Sequence, residues 1–144
     1  MAIILVVDDE SYMRGFLAEL LSPEYNVLSA RNGQEALLIA KSIYPDLIIT
    51  DLEMPVMSGL EMVKGLRQLP RQEKVPVIAI STNFHVRIER EKMLEAGADF
   101  CLPKPINIGL LNRKITQLLA LNTTSLPLCK AQTKSNYLEI AQKI

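Results

Sequence analysis

A chain of 144 residues that is 49% apolar and 22% charged has the length and composition of one domain with a sizeable core. Lysine plus arginine balances aspartate plus glutamate at 16 each, which removes any bulk electrostatic drive toward nucleic acid or an acidic membrane surface. Cys101 and Cys129 share no metal-ligand spacing and His85 is the only histidine, so neither a zinc site nor a disulfide framework is expected; reduced thiols in a cytosol are.

The opening "MAIILVVDDE" is apolar for six residues and then acidic, unlike a signal peptide, and no apolar run is long enough to span a bilayer. Its core, "IILVV" (3–7), reads as a strand covered on both faces. Next, Met13, Phe16, Leu17 and Leu20 form a helical stripe over 11–21. "YNVLSA" (25–30) is a more polar strand and looks like an edge. A helix over 33–43 starts after Asn32, a good N-cap residue. "DLIIT" (46–50) is a third strand, and Ser58 with Glu61 three residues on marks a capping box for a helix over 59–69. "VPVIAIS" (75–81) is a fourth strand. A helix over 85–96 stops at Gly97, and its "VRIEREK" (86–92) reads as a solvated face. "ADFCLP" (98–103) is the fifth strand, and a helix over 108–121 follows Asn107 with Leu111, Ile115 and Leu118 on one stripe. From residue 122 a linker-like tail begins, ending in "NYLEIAQKI", which suits a short amphipathic helix through Tyr137, Ile140, Ala141 and Ile144.

The alternation βαβαβαβαβα implies an α/β domain with a parallel sheet and helices on both faces. Ligands of such sheets sit outside the carboxyl ends of the strands, where the strand order reverses. The first strand ends in Asp8 and Asp9, the third in Asp51, the fourth in Ser81 and Thr82, and the fifth in Lys104 and Pro105. Any one of these alone is a turn or cap residue. Four strand ends carrying parts of one site are a constellation. If the first and third strands are neighbours, three carboxylates converge, and two like charges ~4 Å apart repel by about 4 kcal/mol at an effective dielectric of ~20. Raised pKa values or a bound cation relieve such crowding. Oxygen-only ligands favour a hard cation, Mg²⁺ first, with Mn²⁺ or Ca²⁺ as alternatives. A lysine and a hydroxyl on the same edge suit a phosphoryl group, toward which Asp51 can act as nucleophile.

The motifs "VVDDE" (6–10), "DLEMPVMSG" (51–59), "PVIAIST" (76–82) and "GAD" followed by "LPKP" (97–105) resemble the receiver domain of two-component response regulators over residues 1–121. The resemblance implies a doubly wound, flavodoxin-like sheet of five strands in the order 2-1-3-4-5. It matches Asp51 to the phosphoacceptor, Asp9 to a direct Mg²⁺ ligand, and Asp8 to its acidic companion. Glu53 matches the residue whose backbone carbonyl completes the metal site. Ser81 matches the switch hydroxyl, Lys104 the lysine that pairs with the phosphoryl group, and Pro105 a proline after a usually cis peptide bond. Met54, Pro55 and Gly59 shape the loop beside Asp51. This chain departs from the pattern at Cys101, where the family often has Tyr or Phe, at Thr82, where a smaller residue is common, and in the acidic Glu53. Thr82 could restrict access to the acyl phosphate and Glu53 could adjust dephosphorylation; the plain readings are solvent-facing Glu53 and Thr82 and a small inert apolar Cys101.

The expected function is a cytoplasmic, Mg²⁺-dependent switch, not an enzyme beyond its own phosphorylation and dephosphorylation. A sensor histidine kinase, a phosphotransfer protein or a small phosphodonor would load Asp51 and alter the face built from the fourth helix, fifth strand and fifth helix. An output partner, or a second copy of the chain, would read that face, and His85 nearby is expected to be a surface residue. Two alternatives stand beside this. One is a scaffold of the same fold that binds a partner without phosphorylation. The other is a flavin protein or phosphatase of similar shape, against which stands the lack of a "DxDGT"-like loop or a phosphate-cradling glycine-rich turn.

Overall fold

The structure is a computed structural model that describes residues 1–83 and 87–123. Ten elements alternate along it: β1 (Ile3–Val7), α1 (Ser11–Leu21), β2 (Asn26–Ala30), α2 (Gly33–Ile43), β3 (Leu47–Asp51), α3 (Gly59–Arg67), β4 (Val77–Ser81), α4 (Arg87–Ala96), β5 (Phe100–Pro103) and α5 (Ile108–Thr123). The five strands form one parallel sheet in the order β2-β1-β3-β4-β5, as the resemblance implied. The expected tail segment from 124 on, Cys129 and His85 lie outside the described residues.

Every residue of β1, β3 and β4 is buried, which is why these runs lack a polar alternation. Their period-two geometry sorts the apolar side chains into two cores. Leu5, Val7, Ile48 and Ala79 face Ala36, Ala40, Met62, Leu66 and Met93 from α2, α3 and α4. Ile4, Val6, Ile49, Ile78 and Ile80 face Leu17, Leu21, Leu111 and Ile115 from α1 and α5. β2 is an edge strand, with only Ala30 buried.

Three helix starts follow the sequence signals. Asn32 Oδ1 accepts from the Glu35 amide, Ser58 Oγ from the Glu61 amide and Asn107 Oδ1 from the Leu110 amide. The capping box at Ser58 is only half formed, because its hydroxyl also donates to Glu61 Oε1 at 3.4 Å. Helix α3 stops at Arg67, short of the expected 69, since Leu69 precedes Pro70 and the residue before a proline is pushed out of the helical region. α5 continues to Thr123, so the boundary expected at 121 falls inside its last turn. Gly97 ends α4 with φ +121°, confirming the glycine stop.

Arg67 ties the amino ends of the strands together. Its guanidinium donates to the carbonyls of Gly97, Gln72 and Val75 and pairs with Asp99, whose Oδ2 also accepts from the Val77 amide. One side chain thus joins α3, the loop before β4, the end of α4 and the start of β5. Arg67→Ala leaves several carbonyls without their donor, and urea denaturation is expected to show a loss of about 2–4 kcal/mol.

Candidate functional site

The strand register brings the chemistry-bearing residues to one edge. Val7 pairs with Thr50, Asp51 with Ile80 and Ser81 with Pro103, so the carboxyl ends of β1, β3, β4 and β5 lie side by side. Asp8 and Asp9 follow β1, Asp51 closes β3, Ser81 closes β4 and Lys104 follows β5. Asp51 belongs to the strand itself, one residue beyond the expected end at 50. Asp46 stays outside, where its Oδ2 accepts from the Ile3 amide at 2.7 Å.

One carboxylate oxygen from each of Asp8, Asp9 and Asp51 lies within 4.8 Å of the others. Asp8 and Asp51 are buried and Asp9 is exposed. Lys104 Nζ stands 3.5 Å from Asp51 Oδ1, which also accepts from the Leu52 amide at 3.0 Å. Burial is the largest influence on Asp51, and with the nearby Asp8 charge it pushes the carboxyl up to about 6, against the pull of Lys104. Burial raises Asp8 as well, opposed by the Glu10 amide and Lys104. Three oxygen donors, no nitrogen or sulfur ligand among them, and raised proton affinity fit a hard divalent cation such as Mg²⁺.

The flanking loop is shaped by two backbone constraints. A Cβ on Gly59 would run into the Asp51 carbonyl oxygen, so only glycine allows α3 to start this close to the site. Ahead of it, the Met57 amide bonds back to the Pro55 carbonyl at 2.8 Å, and Val56 between them takes φ +71°. That three-residue turn is costly for a β-branched side chain, and Val56 is 74% exposed. Met54 packs against the core below while Pro55 is exposed.

On the β4 side, Ser81 is buried and its Oγ accepts from the Asn83 amide at 3.0 Å. Asn83 Nδ2 donates to Glu53 Oε1, bridging the loops after β3 and β4 across the mouth of the site. Glu53 and Thr82 are solvent-exposed, in line with their plain reading, although Glu53 has a partner that the sequence did not suggest. Cys101 is buried among core residues, and burial pushes its thiol up to about 11, the behaviour of an inert small apolar residue. Phe100 packs in the core shared with α5, with Lys114 over its ring at 4.6 Å. The Lys104–Pro105 peptide bond is cis. Asn83, Val56 and Arg14, which donates to the Asp8 carbonyl at 2.7 Å, were not singled out from sequence. None falls in a spacing pattern that would mark it.

The sequence pattern of the family described as the response regulator receiver domain matches residues 4–116. The chain belongs to this family. It is a receiver domain of two-component signalling, similar to Histidine kinase P4 of Formosa agariphila at 34% identity over 116 residues, which is 81% of this chain but 8% of that protein. It is also similar to the polar-differentiation response regulator DivK of Brucella anthropi, 34% identical over 107 residues, 74% of this chain and 86% of the relative. Among solved structures, the receiver domain of sensor histidine kinase PA1611 from Pseudomonas aeruginosa PAO1 overlays with a TM-score of 0.76 at 28% identity, covering 83% of this chain and 98% of that one; it carries a magnesium ion coordinated in its active site cleft. The receiver therefore spans a small part of some curated relatives and most of others. No helix among its described residues is long and apolar enough to cross a membrane.

The raised Asp51 value sets a pH dependence with a definite sign. The folded state holds the Asp51 proton more tightly than the unfolded chain, so this group's contribution to stability is greatest at acid pH. It is lost as pH rises between the ordinary 3.8 and about 6. In EDTA at pH 7, Asp51→Asn is expected to raise unfolding free energy by roughly 2–3 kcal/mol and to flatten that part of the stability profile. Denaturant titrations of both proteins across pH 4 to 7 would check it.

Proposed function

We propose that this receiver is a phosphorylation-activated switch with Asp51 as phosphoacceptor. The observation carrying this reading is the meeting of Asp8, Asp9 and Asp51 within 4.8 Å, with Lys104 beside Asp51 and the buried Ser81 on the same edge. Asp8, Asp9, Asp51 and the backbone carbonyl of Glu53 would hold Mg²⁺, or Mn²⁺ in its place. When bound, the cation supplies positive charge to offset the phosphoryl oxygens.

The donor is a phosphohistidine on a sensor histidine kinase or phosphotransfer protein, or a small phosphodonor. Asp51 Oδ1 is held by the Leu52 amide and faces Lys104, which leaves Oδ2 as the attacking oxygen. The new P–O bond forms as the P–N bond breaks, and the imidazole nitrogen keeps the electron pair and takes a proton from solvent. Lys104 holds the transferred group by charge and hydrogen bonding. Attack needs the ionised carboxylate, which the bound cation and Lys104 favour against the burial that raises the Asp51 value. Beside Lys104, the exposed Tyr12 with Met13, Phe16 and Ile106 lines a shallow apolar cavity of about 230 Å³ on which the donor protein can dock.

After transfer, a phosphoryl oxygen can accept from the Ser81 hydroxyl, whose oxygen itself accepts from the Asn83 amide. Drawing Ser81 inward moves the loop after β4, and with it α4, of which only Met93 is buried. With its far end held at Gly97 by Arg67, α4 shifts at its start, and the face of α4, β5 and α5 changes for an output partner or a second copy of the chain. The chain acts on its own aspartyl phosphate and on no other substrate, in the cytoplasm where ATP-fed kinases work.

Intact-mass analysis after incubation with a small phosphodonor tests the reading. One added phosphoryl group that requires Mg²⁺ and disappears in Asp51→Asn is the expected result. No addition under any condition would transfer the case to the scaffold that binds without phosphorylation.

A further inference from the structure

We infer that Arg14 is a positioning residue for the Asp8–Asp9 pair, fixing the peptide between them so that both carboxylates converge on one point. The inference rests on the metal reading above. It starts from an asymmetry among the helices. α2, α3 and α5 are each fastened at their start by a side-chain N-cap, from Asn32, Ser58 and Asn107. α1 begins directly after the acidic loop, yet its N-cap residue, Glu10, makes no side-chain cap bond, and its first turn holds no acidic residue.

Arg14 supplies the missing fastening. From one turn inside α1 its Nη1 reaches back to the Asp8 carbonyl at 2.7 Å, while its own amide continues the helix to the Glu10 carbonyl at 3.1 Å. Asp8 is further held by its amide on the Ala30 carbonyl and by its Oδ1, which accepts from the Glu10 amide. Fixing the Asp8 carbonyl fixes the plane of the peptide that leads into Asp9. Asp9 is the exposed member of the cluster, so the direction of its carboxylate depends on that peptide. Mutual repulsion of the three acids favours swinging it outward; the charge-assisted bond from Arg14 opposes that motion.

Charge and geometry predict opposite signs here. A guanidinium acting only as a nearby positive charge would disfavour a second cation, and neutralising it would tighten Mg²⁺ binding. A guanidinium that holds the ligands in place favours the cation, and its removal weakens binding.

Calorimetric titration of the full chain with Mg²⁺, backed by Mn²⁺ spin-resonance titration, reads that sign directly. Arg14→Met is expected to raise the Mg²⁺ Kd about tenfold in protein that remains folded by circular dichroism. An unchanged or lower Kd in folded Arg14→Met overturns the inference. Should that variant not fold, Arg14→Gln, whose amide is too short to reach the Asp8 carbonyl, decides in the same way. If the unmutated chain binds neither ion, the metal reading and this inference fall together. If it binds and Asp9→Asn does not, the metal reading stands whatever Arg14 does.

Discussion

Three carboxylates drawn to one point, two of them buried, are the constraint around which the rest of this domain is arranged. Left alone, such a group would open or take up protons, and the raised Asp8 and Asp51 values show the second tendency. What holds it closed is a set of modest contributions from different parts of the chain. β1 and β3 are neighbours, Lys104 arrives from the end of β5, and amides of Glu10 and Leu52 each satisfy a carboxylate oxygen. Even the approach of α3 depends on it, since Gly59 lies against the Asp51 carbonyl where no side chain fits.

The two ends of the sheet are built differently. At the amino ends of β4 and β5, Arg67 and Asp99 join four segments through several hydrogen bonds around a mostly buried guanidinium. At the carboxyl ends, the exposed Glu53–Asn83 contact links the loops after β3 and β4, and the Asn83 amide bonds back to Ser81 within its own loop. Bonds of the first kind are costly to break, whereas exposed side-chain contacts contribute little.

Much of this was legible in the residues. Unbroken apolar runs such as "IILVV" marked the central strands because burial on both faces removes the polar alternation. The more polar second run marked an edge for the converse reason. Asn32, Ser58, Asn107 and Gly97 set helix ends through bonds that span only a few residues. Leu69 before Pro70 encodes the early stop of α3, because the residue before a proline is pushed out of the helical region. Asp8, Asp9, Asp51, Ser81 and Lys104 stood out because each ends a strand, and the ends of parallel strands share one edge.

The sequence by itself determined where the elements lie, that the sheet is parallel, and which residue types reach its carboxyl edge, because periodicity, capping and strand ends are written within a dozen residues. Tertiary structure alone decided the distances: that three carboxylate oxygens meet within 4.8 Å, that Lys104 stands 3.5 Å from Asp51, and that Arg14 closes on the Asp8 carbonyl. It also decided that Glu53 and Asn83, thirty residues apart, share a hydrogen bond. Those contacts depend on strand order and on how loops fold over the edge, and no local pattern encodes a separation between segments that only packing brings together.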